Sequence, residues 1–323
     1  MAAPRGRYAP SPTGEIHLGN ASSALLAWLS IRARDGSFVM RMEDLDRNRV
    51  QPGLAERILE ELTWLGLDWD EGPDCGGSYA PYDQWSRREL YRKAFETLRD
   101  KDLLYPCFCS RKDIAAAASA PQTAGEELRY PGTCRQLDPD EARKRITPGR
   151  RHAWRFRVAP QPPAGFEDLV RGRWDDDRTV PGDFVVWRSD EVPAYHLAVV
   201  VDDAAMAIDE VVRGDDLLSS TLRQLLLFEA LDHRAPRFGH VPLLLGTDGV
   251  RLSKRHQGTT LHELRDAGFT AEQIVGRLAH AVGLRPTSEP ATARSLVDGF
   301  TLTAVPPTPD GIVVDPHSWI RAN

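Results

Sequence analysis

Residues 7–20, RYAPSPTGEIHLGN, combine a strand-forming run, a Pro/Gly turn and a helix start. Such a junction presents backbone N–H groups and the positive end of a helix dipole, which is how many chains receive a phosphate. Gly14 and Gly19 allow a ligand or backbone to approach closely, and His17 can donate to a phosphate oxygen. The plainer alternative is a turn that merely starts an amphipathic helix. Far downstream lies a second chemical segment, RLSKRHQGTT at 251–260. Lys254, with Ser253 beside it and Gly258 shortly after, can close on outgoing phosphates and offset transition-state charge. The same segment also reads as a solvated basic turn.

A third group is Cys107, Cys109, Tyr130 and Cys134. Three thiolates and one further donor can build a tetrahedral zinc site. The Cys-x-Cys spacing is tighter than usual, so unrelated buried cysteines remain an alternative, and His152 competes with Tyr130 for the fourth place. Cys75, in a Gly-rich loop, looks unpaired. The most basic stretch, 143–157 (RKRITPGRRHAWRFR), is either a solvated face or an RNA phosphate path with Trp154 and Phe156 available for stacking.

The elements that must position these groups follow an α/β pattern. Arg7 to Ala9 and 37–42 (SFVMRM) read as strands, and 21–34, 54–65 and 84–100 read as helices, with a Gly/Pro/Asp-rich loop at 66–82. The acidic run 43–46 closes the second strand, where ligands collect in parallel sheets. The pattern breaks between 105 and about 181. It resumes with apolar runs at 183–187 (DFVVW) and 195–201 (YHLAVVV), the second β-branched enough to predict a buried strand. A helix over 217–231, a strand at 241–245 and a helix near 271–282 complete the pattern. The expected organisation is a catalytic half at 1–104, an insertion at 105–182, a second catalytic half at 183–260, and a short helical region at 261–323.

With 41% hydrophobic and 27% charged residues, the 323-residue chain has the composition of a soluble globular protein. It has no apolar run long enough for a membrane span and no apolar N-terminal stretch of the signal-peptide kind. Its four cysteines suit a reducing cytoplasm. The net charge of −6 excludes a generally basic nucleic-acid coat and leaves local patches as the only RNA contacts.

HLGN at 17–20 resembles the HIGH motif of class I aminoacyl-tRNA synthetases, and RLSKR at 251–255 resembles their KMSKS loop. The surrounding words, RYAPSPTGEIHLGN, VMRMEDLDRNR at 39–49 and the run 194–227, look like the catalytic core of glutamyl-tRNA synthetases. The resemblance covers roughly residues 5–265. The short remainder after the lysine loop, where a full glutamyl-tRNA synthetase continues into an anticodon-reading domain, is similar to the truncated glutamyl-Q tRNA(Asp) synthetase type.

This resemblance implies a Rossmann-like catalytic fold, ATP (with Mg2+), L-glutamate and a queuosine-bearing tRNA(Asp) as partners, and action as a monomer. Arg7 and Arg213 would hold carboxylate, a task that suits the guanidinium fork. Glu43 would hold the α-ammonium, and Ala9, Ser11 and Tyr195 would complete the pocket. Without the resemblance, Arg213 could be a surface ion pair with Asp215 or Asp216, Glu43 a cap, and Tyr195 a core aromatic. His17, Gly19, Asn20 and Lys254 would face ATP, with His17 and Lys254 catalytic. Asn20 stands where the motif has its second His and Arg251 where it has its first Lys, so Lys254 is the firmer ATP contact. The resemblance also implies a structural zinc held by Cys107, Cys109, Cys134 and Tyr130.

Overall fold

The computed structural model describes residues 3–110, 112–114, 130–175, 181–252 and 260–321. A six-stranded sheet in the order β2-β1-β8-β9-β5-β6 forms its centre. The strands are β1 (Arg5–Tyr8), β2 (Ser37–Met40), β5 (Gly165–Asp168), β6 (Gly172–Asp175), β8 (Glu210–Gly214) and β9 (Arg237–Val241). All neighbours run parallel except the β5–β6 hairpin at one edge. A smaller antiparallel sheet joins β3 (Leu104–Cys107), β4 (Ala153–Phe156) and β7 (Phe184–Trp187). A short parallel pair, β10 (Leu244–Leu245) and β11 (Ile312–Val313), ties the C-terminal region to the core.

Strand alternation sends neighbouring residues to opposite faces. Phe38, Met40 and Val212 join one buried cluster with helix α1 (Leu18–Arg32), helix α2 (Leu54–Trp64) and the C-terminal residues Leu261, Ile274 and Leu278. Val39, Val211 and Phe238 join another with Tyr91, Leu98, Leu197 to Val201, and Phe228. Both sheet faces are therefore covered, as parallel sheets require. Helix α1 is apolar nearly all round and is buried accordingly. Its interior Ser30 donates to Glu210 Oε1 at 2.5 Å, which fixes the helix against β8. Further α-helices are α3 (Arg88–Asp100), α4 (Pro139–Arg145), α5 (Tyr195–Ala205), α6 (Thr221–Ala230), α7 (Leu261–Asp266), α8 (Ala271–Ala281) and α9 (Pro316–Arg321). No helix among the described residues is long and apolar enough to cross a membrane.

One expectation is overturned. The run 195–201 is helix, the first part of α5. Its residues from Leu197 to Asp203 are all buried, so apolar residues are required on every side and no face is left to reveal the helical period. Two further strands are displaced: the one expected over 241–245 ends at Val241 and restarts as the two-residue β10. The apolar run at 183–187 pairs with β4 in the small sheet rather than with the central one.

The helical reading of α5 brings Asp202 and Asp203 inside. Asp202 accepts from Arg87 Nε at 2.7 Å, Gln84 Nε2 at 2.8 Å and the Tyr91 hydroxyl at 2.9 Å. Removing one member of a buried charged set strands its partners. Asp202→Ala is expected to cost about 3–5 kcal/mol of unfolding free energy, read from the denaturant midpoint.

Burial also sets a pH limit. It pushes His196 down to about 3 and, with the Arg251 charge, His17 down to about 4. His240 is likewise held at about 4, burial outweighing its acidic neighbour Asp168. These imidazoles stay neutral in the folded chain while the unfolded chain takes protons below its ordinary value of about 6.5. At these three groups the unfolded state therefore binds more protons between roughly pH 6.5 and 4, so their share of the stability is lost on acidification through that window. Buried Glu61, raised to about 7 chiefly by burial, works the other way, and so do Glu43, Asp44 and Asp215, which burial also raises. Each imidazole contributes up to about 1.4 kcal/mol per pH unit. Acidification from pH 6.5 to 4.5 should therefore lower the denaturant midpoint of the wild type relative to that of His196→Gln.

Candidate active site

A cleft of about 770 Å³ opens at the C-terminal ends of β1 and β8, lined by Arg7, Ala9, Ser11, His17, Gly19, Asn20, Glu43, Tyr195, Arg213 and Arg251 among others. Ligands collect at this end of a parallel sheet. Residues expected from three separate segments, 7–20, 43–46 and 194–213, thus meet on one wall. Lys254 lies outside the described residues, as do Ser253 and Gly258.

His17 is the N-cap of α1, and its Nδ1 accepts from the Asn20 N–H at 3.3 Å. With Nδ1 used as an acceptor and the ring neutral, the proton belongs on Nε2. His17 is therefore an uncharged donor set at a helix N-terminus. A Cβ on Gly19 would sit 3.1 Å from two His17 ring atoms, so this position keeps the ring in place by having no side chain. Asn20 lines the cleft, and its carbonyl accepts from the Tyr8 hydroxyl at 3.2 Å. Arg251 is ion-paired with Asp216.

The other end of the cleft is charged and largely buried. Arg7 is buried, and its Nε donates to Asp203 Oδ1 at 3.3 Å. The same oxygen receives Nη1 of fully buried Arg41 at 2.8 Å, and Arg41 Nη2 reaches Glu43 Oε1 at 3.3 Å. Burial alone would raise the Asp203 carboxyl, but the Arg7 and Arg41 charges hold it below the usual carboxylate range. Glu43 is raised, burial outweighing the same guanidiniums. Its backbone N–H also bonds the Pro10 carbonyl at 2.9 Å, which docks the turn after β1. Glu43 is thus neither a helix cap nor a solvated loop residue.

Arg213 differs from Arg7. Its Nε donates to His240 Nε2 at 3.0 Å, Nη1 to Gln224 Oε1 at 2.8 Å, and Nη2 to Thr221 Oγ1 at 2.8 Å and the Leu217 carbonyl at 3.2 Å. Every one of these partners is an uncharged acceptor. Among the described residues no carboxylate lies within ion-pair distance of it, and Asp215 and Asp216 pair instead with Arg171 and Arg251. Burial accordingly pulls the Arg213 guanidinium below its ordinary value. A buried cation without a counter-ion, facing an open cleft, is a seat for an anion. Tyr195, at the start of α5, lines the same wall and is 36% exposed, so it is a cleft residue and not a core aromatic.

Arg41, Asp202, Asp203, Gln224 and His240 were missed as site residues. A pair of adjacent acids inside an apolar run, AVVVDDAAM, was the available signal. Reading that run as a strand left the pair outside the core.

Cys107, Cys109 and Cys134 place their sulfurs within 4.8 Å of one another. Cys109 Sγ lies 3.5 Å from Cys134 Sγ and 3.7 Å from Tyr130 Oη, and Cys107 Sγ lies 3.5 Å from the same hydroxyl. Zinc with thiolates at about 2.3 Å needs sulfurs about 3.8 Å apart, so the donor set fits. Burial, hydrogen bonding to Cys134 and the neighbouring thiols push Cys109 up to about 11. His152 is partly buried, stands against Phe108 and Trp154, and is not grouped with the thiols. Cys75 is exposed and apart.

The basic stretch 143–157 offers less than its sequence suggested. Arg143 and Arg145 pair with Asp140 and Glu141 on their own helix. Arg155 is buried over the Tyr130 ring, Phe156 is buried against Phe184, and Trp154 packs edge-on against Phe95. Phe156 is therefore a core residue with no face free for a base.

Residues 4–296 match the family described as tRNA synthetases class I (E and Q), catalytic domain. A glutamyl-Q tRNA(Asp) synthetase of Symbiobacterium thermophilum is 50% identical over 94% of this chain and 94% of its own. One from Nitratidesulfovibrio vulgaris is 47% identical with the same coverage of both. A glutamate–tRNA ligase of an Anaeromyxobacter species is 42% identical over 99% of this chain and 67% of its own. The crystal structure of a glutamate–tRNA synthetase from Elizabethkingia anophelis superposes with a TM-score of 0.83 at 29% identity, covering 98% of this chain and 69% of that one. The chain belongs to the class I (E and Q) tRNA synthetases and, within them, groups with the glutamyl-Q tRNA(Asp) synthetases.

Proposed function

We propose that the protein activates L-glutamate with ATP to glutamyl-adenylate and transfers the glutamyl group to the queuosine base in the anticodon of tRNA(Asp). One observation carries the amino-acid half of this reading: Arg213 is a buried guanidinium with only neutral partners, facing the cleft that also holds the HLGN turn. Arg213 and Arg7 receive carboxylate, and Glu43 receives the α-ammonium, with Ala9, Ser11 and Tyr195 shaping the pocket. His17, Gly19 and Asn20 face the nucleotide, which enters as its magnesium complex, and Lys254 covers the outgoing phosphates.

In the first step a glutamate α-carboxylate oxygen attacks the α-phosphorus, the bond to the bridging oxygen breaks, and pyrophosphate leaves. In the second the acyl group passes to queuosine and AMP leaves. Neither step needs a protein nucleophile. The chain supplies positioning and fixed donors. His17 suits this as a neutral donor, since it adds no charge that would have to be moved. The 50% and 47% identities to glutamyl-Q tRNA(Asp) synthetases favour that acceptor. The 42% identity to a glutamate–tRNA ligase favours the rival, charging of tRNA(Glu). The reading includes action as a monomer in the cytoplasm, where ATP and tRNA meet.

Cys107, Cys109, Cys134 and Tyr130 would hold a zinc ion. With every position taken by protein the ion is structural and ties β3 to residues 130–134.

Glutamate-dependent ATP–pyrophosphate exchange should proceed without tRNA, and labelled glutamate should pass to tRNA(Asp) only when it carries queuosine. Labelling of tRNA(Glu) would establish the rival, and absence of exchange would remove the activity altogether. Arg213→Ala should raise the KM for glutamate about 100-fold, with the KM for ATP nearly unchanged. Elemental analysis should find one zinc per chain, lost in Cys107→Ser. Full zinc retention in Tyr130→Phe would take Tyr130 out of the ligand set.

A further inference from the structure

A chain of buried polar groups reaches Arg213 from the far side of the cleft. Asp168 ends β5, and His240 lies beside it on β9. His240 is fully buried, and its Nδ1 is 2.6 Å from Asp168 Oδ2. Its Nε2 is the acceptor for Arg213 Nε. A guanidinium only donates, so Nε2 carries no proton and Nδ1 does. The Thr221 hydroxyl, 3.2 Å from the same Nε2, also meets Arg213 Nη2, so both contacts hold the guanidinium in one plane. Asp168 cannot turn, because Oδ1 accepts from the N–H groups of Val170 at 3.0 Å, Arg171 at 2.9 Å and His240 at 3.2 Å.

We propose that Asp168 and His240 are positioning residues for glutamate recognition. Asp168 fixes the tautomer of His240, and neutral His240 aims the Arg213 guanidinium at the substrate carboxylate without neutralising it. This rests on the reading of the cleft as a glutamate site. The arrangement meets two demands that conflict. A buried Nε–H needs an acceptor, but a carboxylate placed directly on Arg213 would compete with the substrate. A neutral imidazole satisfies the N–H and leaves the charge free, while the acid that orients it stands one residue further back.

The tautomer gives the idea a sharp test. In D168N the three backbone N–H groups require the amide oxygen at the Oδ1 position, which turns the amide nitrogen towards His240 Nδ1. That ring nitrogen must then accept, its proton moves to Nε2, and Nε2–H confronts Arg213 Nε–H. The isosteric change thus sets two donors against each other, as an Asp→Asn change does in a Ser-His-Asp triad. H240Q keeps an acceptor and has no tautomer to misplace. H240F has no acceptor at all.

The experiment is glutamate-dependent ATP–pyrophosphate exchange with the wild type, D168N, H240Q, H240F and the D168N/H240Q pair, each checked by its thermal midpoint. D168N should raise the KM for glutamate about tenfold or more in the wild-type background but much less in the H240Q background, which has no tautomer to misplace, and should leave the KM for ATP within about twofold. H240F should raise the KM for glutamate well beyond H240Q, a comparison that leaves Asp168 intact should D168N fold poorly. An unchanged KM for glutamate in D168N and H240F, equal rises for glutamate and ATP, or effects of D168N and H240Q that simply multiply would overturn the proposal. Wild-type protein without exchange would overturn the glutamate reading itself, whereas wild-type exchange with unaltered D168N overturns only the positioning role.

Discussion

Asp203 is shared by two buried guanidiniums, and the charged end of the cleft depends on that sharing. Its Oδ1 meets Arg7 and Arg41, and Arg41 passes the connection on to Glu43. The four groups come from β1, the end of β2 with its following turn, and α5. Taking this many charges out of water is costly, and the cost is met only because each charge has partners of the opposite sign. A guanidinium held on one edge by a fixed carboxylate cannot swing, so the remaining N–H groups of Arg7 keep a set direction. The rigidity of the pocket is thus a by-product of what burial demands of its charges.

How the helix α5 enters the structure explains both what the sequence made legible and what it hid. The junction 7–20 and the acids after β2 were readable, since turn chemistry and strand ends leave local marks. The cysteine group was readable from spacing and donor type. The helix at 195–205 was not, because a segment buried on all sides carries no amphipathic period, and its valines imitate a strand. The error carried further. Asp202 and Asp203 face inward only from a helix that passes beneath β1, so Arg41, Arg87, Gln84 and Tyr91 gave no sign of belonging to one network. His240 stayed hidden for a related reason: its partners Asp168 and Arg213 lie on β5 and β8, far apart in the chain, and only the strand order β8-β9-β5 makes them neighbours.

The segment 105–182, expected as an insertion, shows the same dependence on non-local pairing. Strands β5 and β6 leave it to extend the central sheet, so Asp168 is delivered to β9 by the segment that also carries the thiols. The thiol group itself lies at the end of β3, in a small cluster with Tyr105, Ile114 and Tyr130. Such a cluster has little apolar surface of its own, and a metal cross-link is the usual remedy. Tyr105 donates to Asp183 Oδ2 at 2.7 Å and Arg135 reaches Asp183 Oδ1 at 2.5 Å, which links the thiol end of the small sheet to its other strands.

The charges of the cleft fit the proposed substrate in sum as well as in place. Arg7, Arg41 and Arg87 are matched by Glu43, Asp202 and Asp203 within one network. Arg213 stands outside it with neutral partners, so among the buried described residues of the cleft one positive charge is left unmatched. Glutamate, with two carboxylates and an ammonium, carries one net negative charge. A neutral amino acid would leave the buried guanidinium unmatched, and so would glutamine, whose amide can accept from Arg213 but brings no charge. Selectivity against such analogues then follows from the cost of leaving a desolvated cation unpaired, which is larger than the gain from any single added contact. His240 matters to this balance because it is neutral. If it were protonated, the wall would carry a second positive charge and Arg213 would lose the acceptor that orients it.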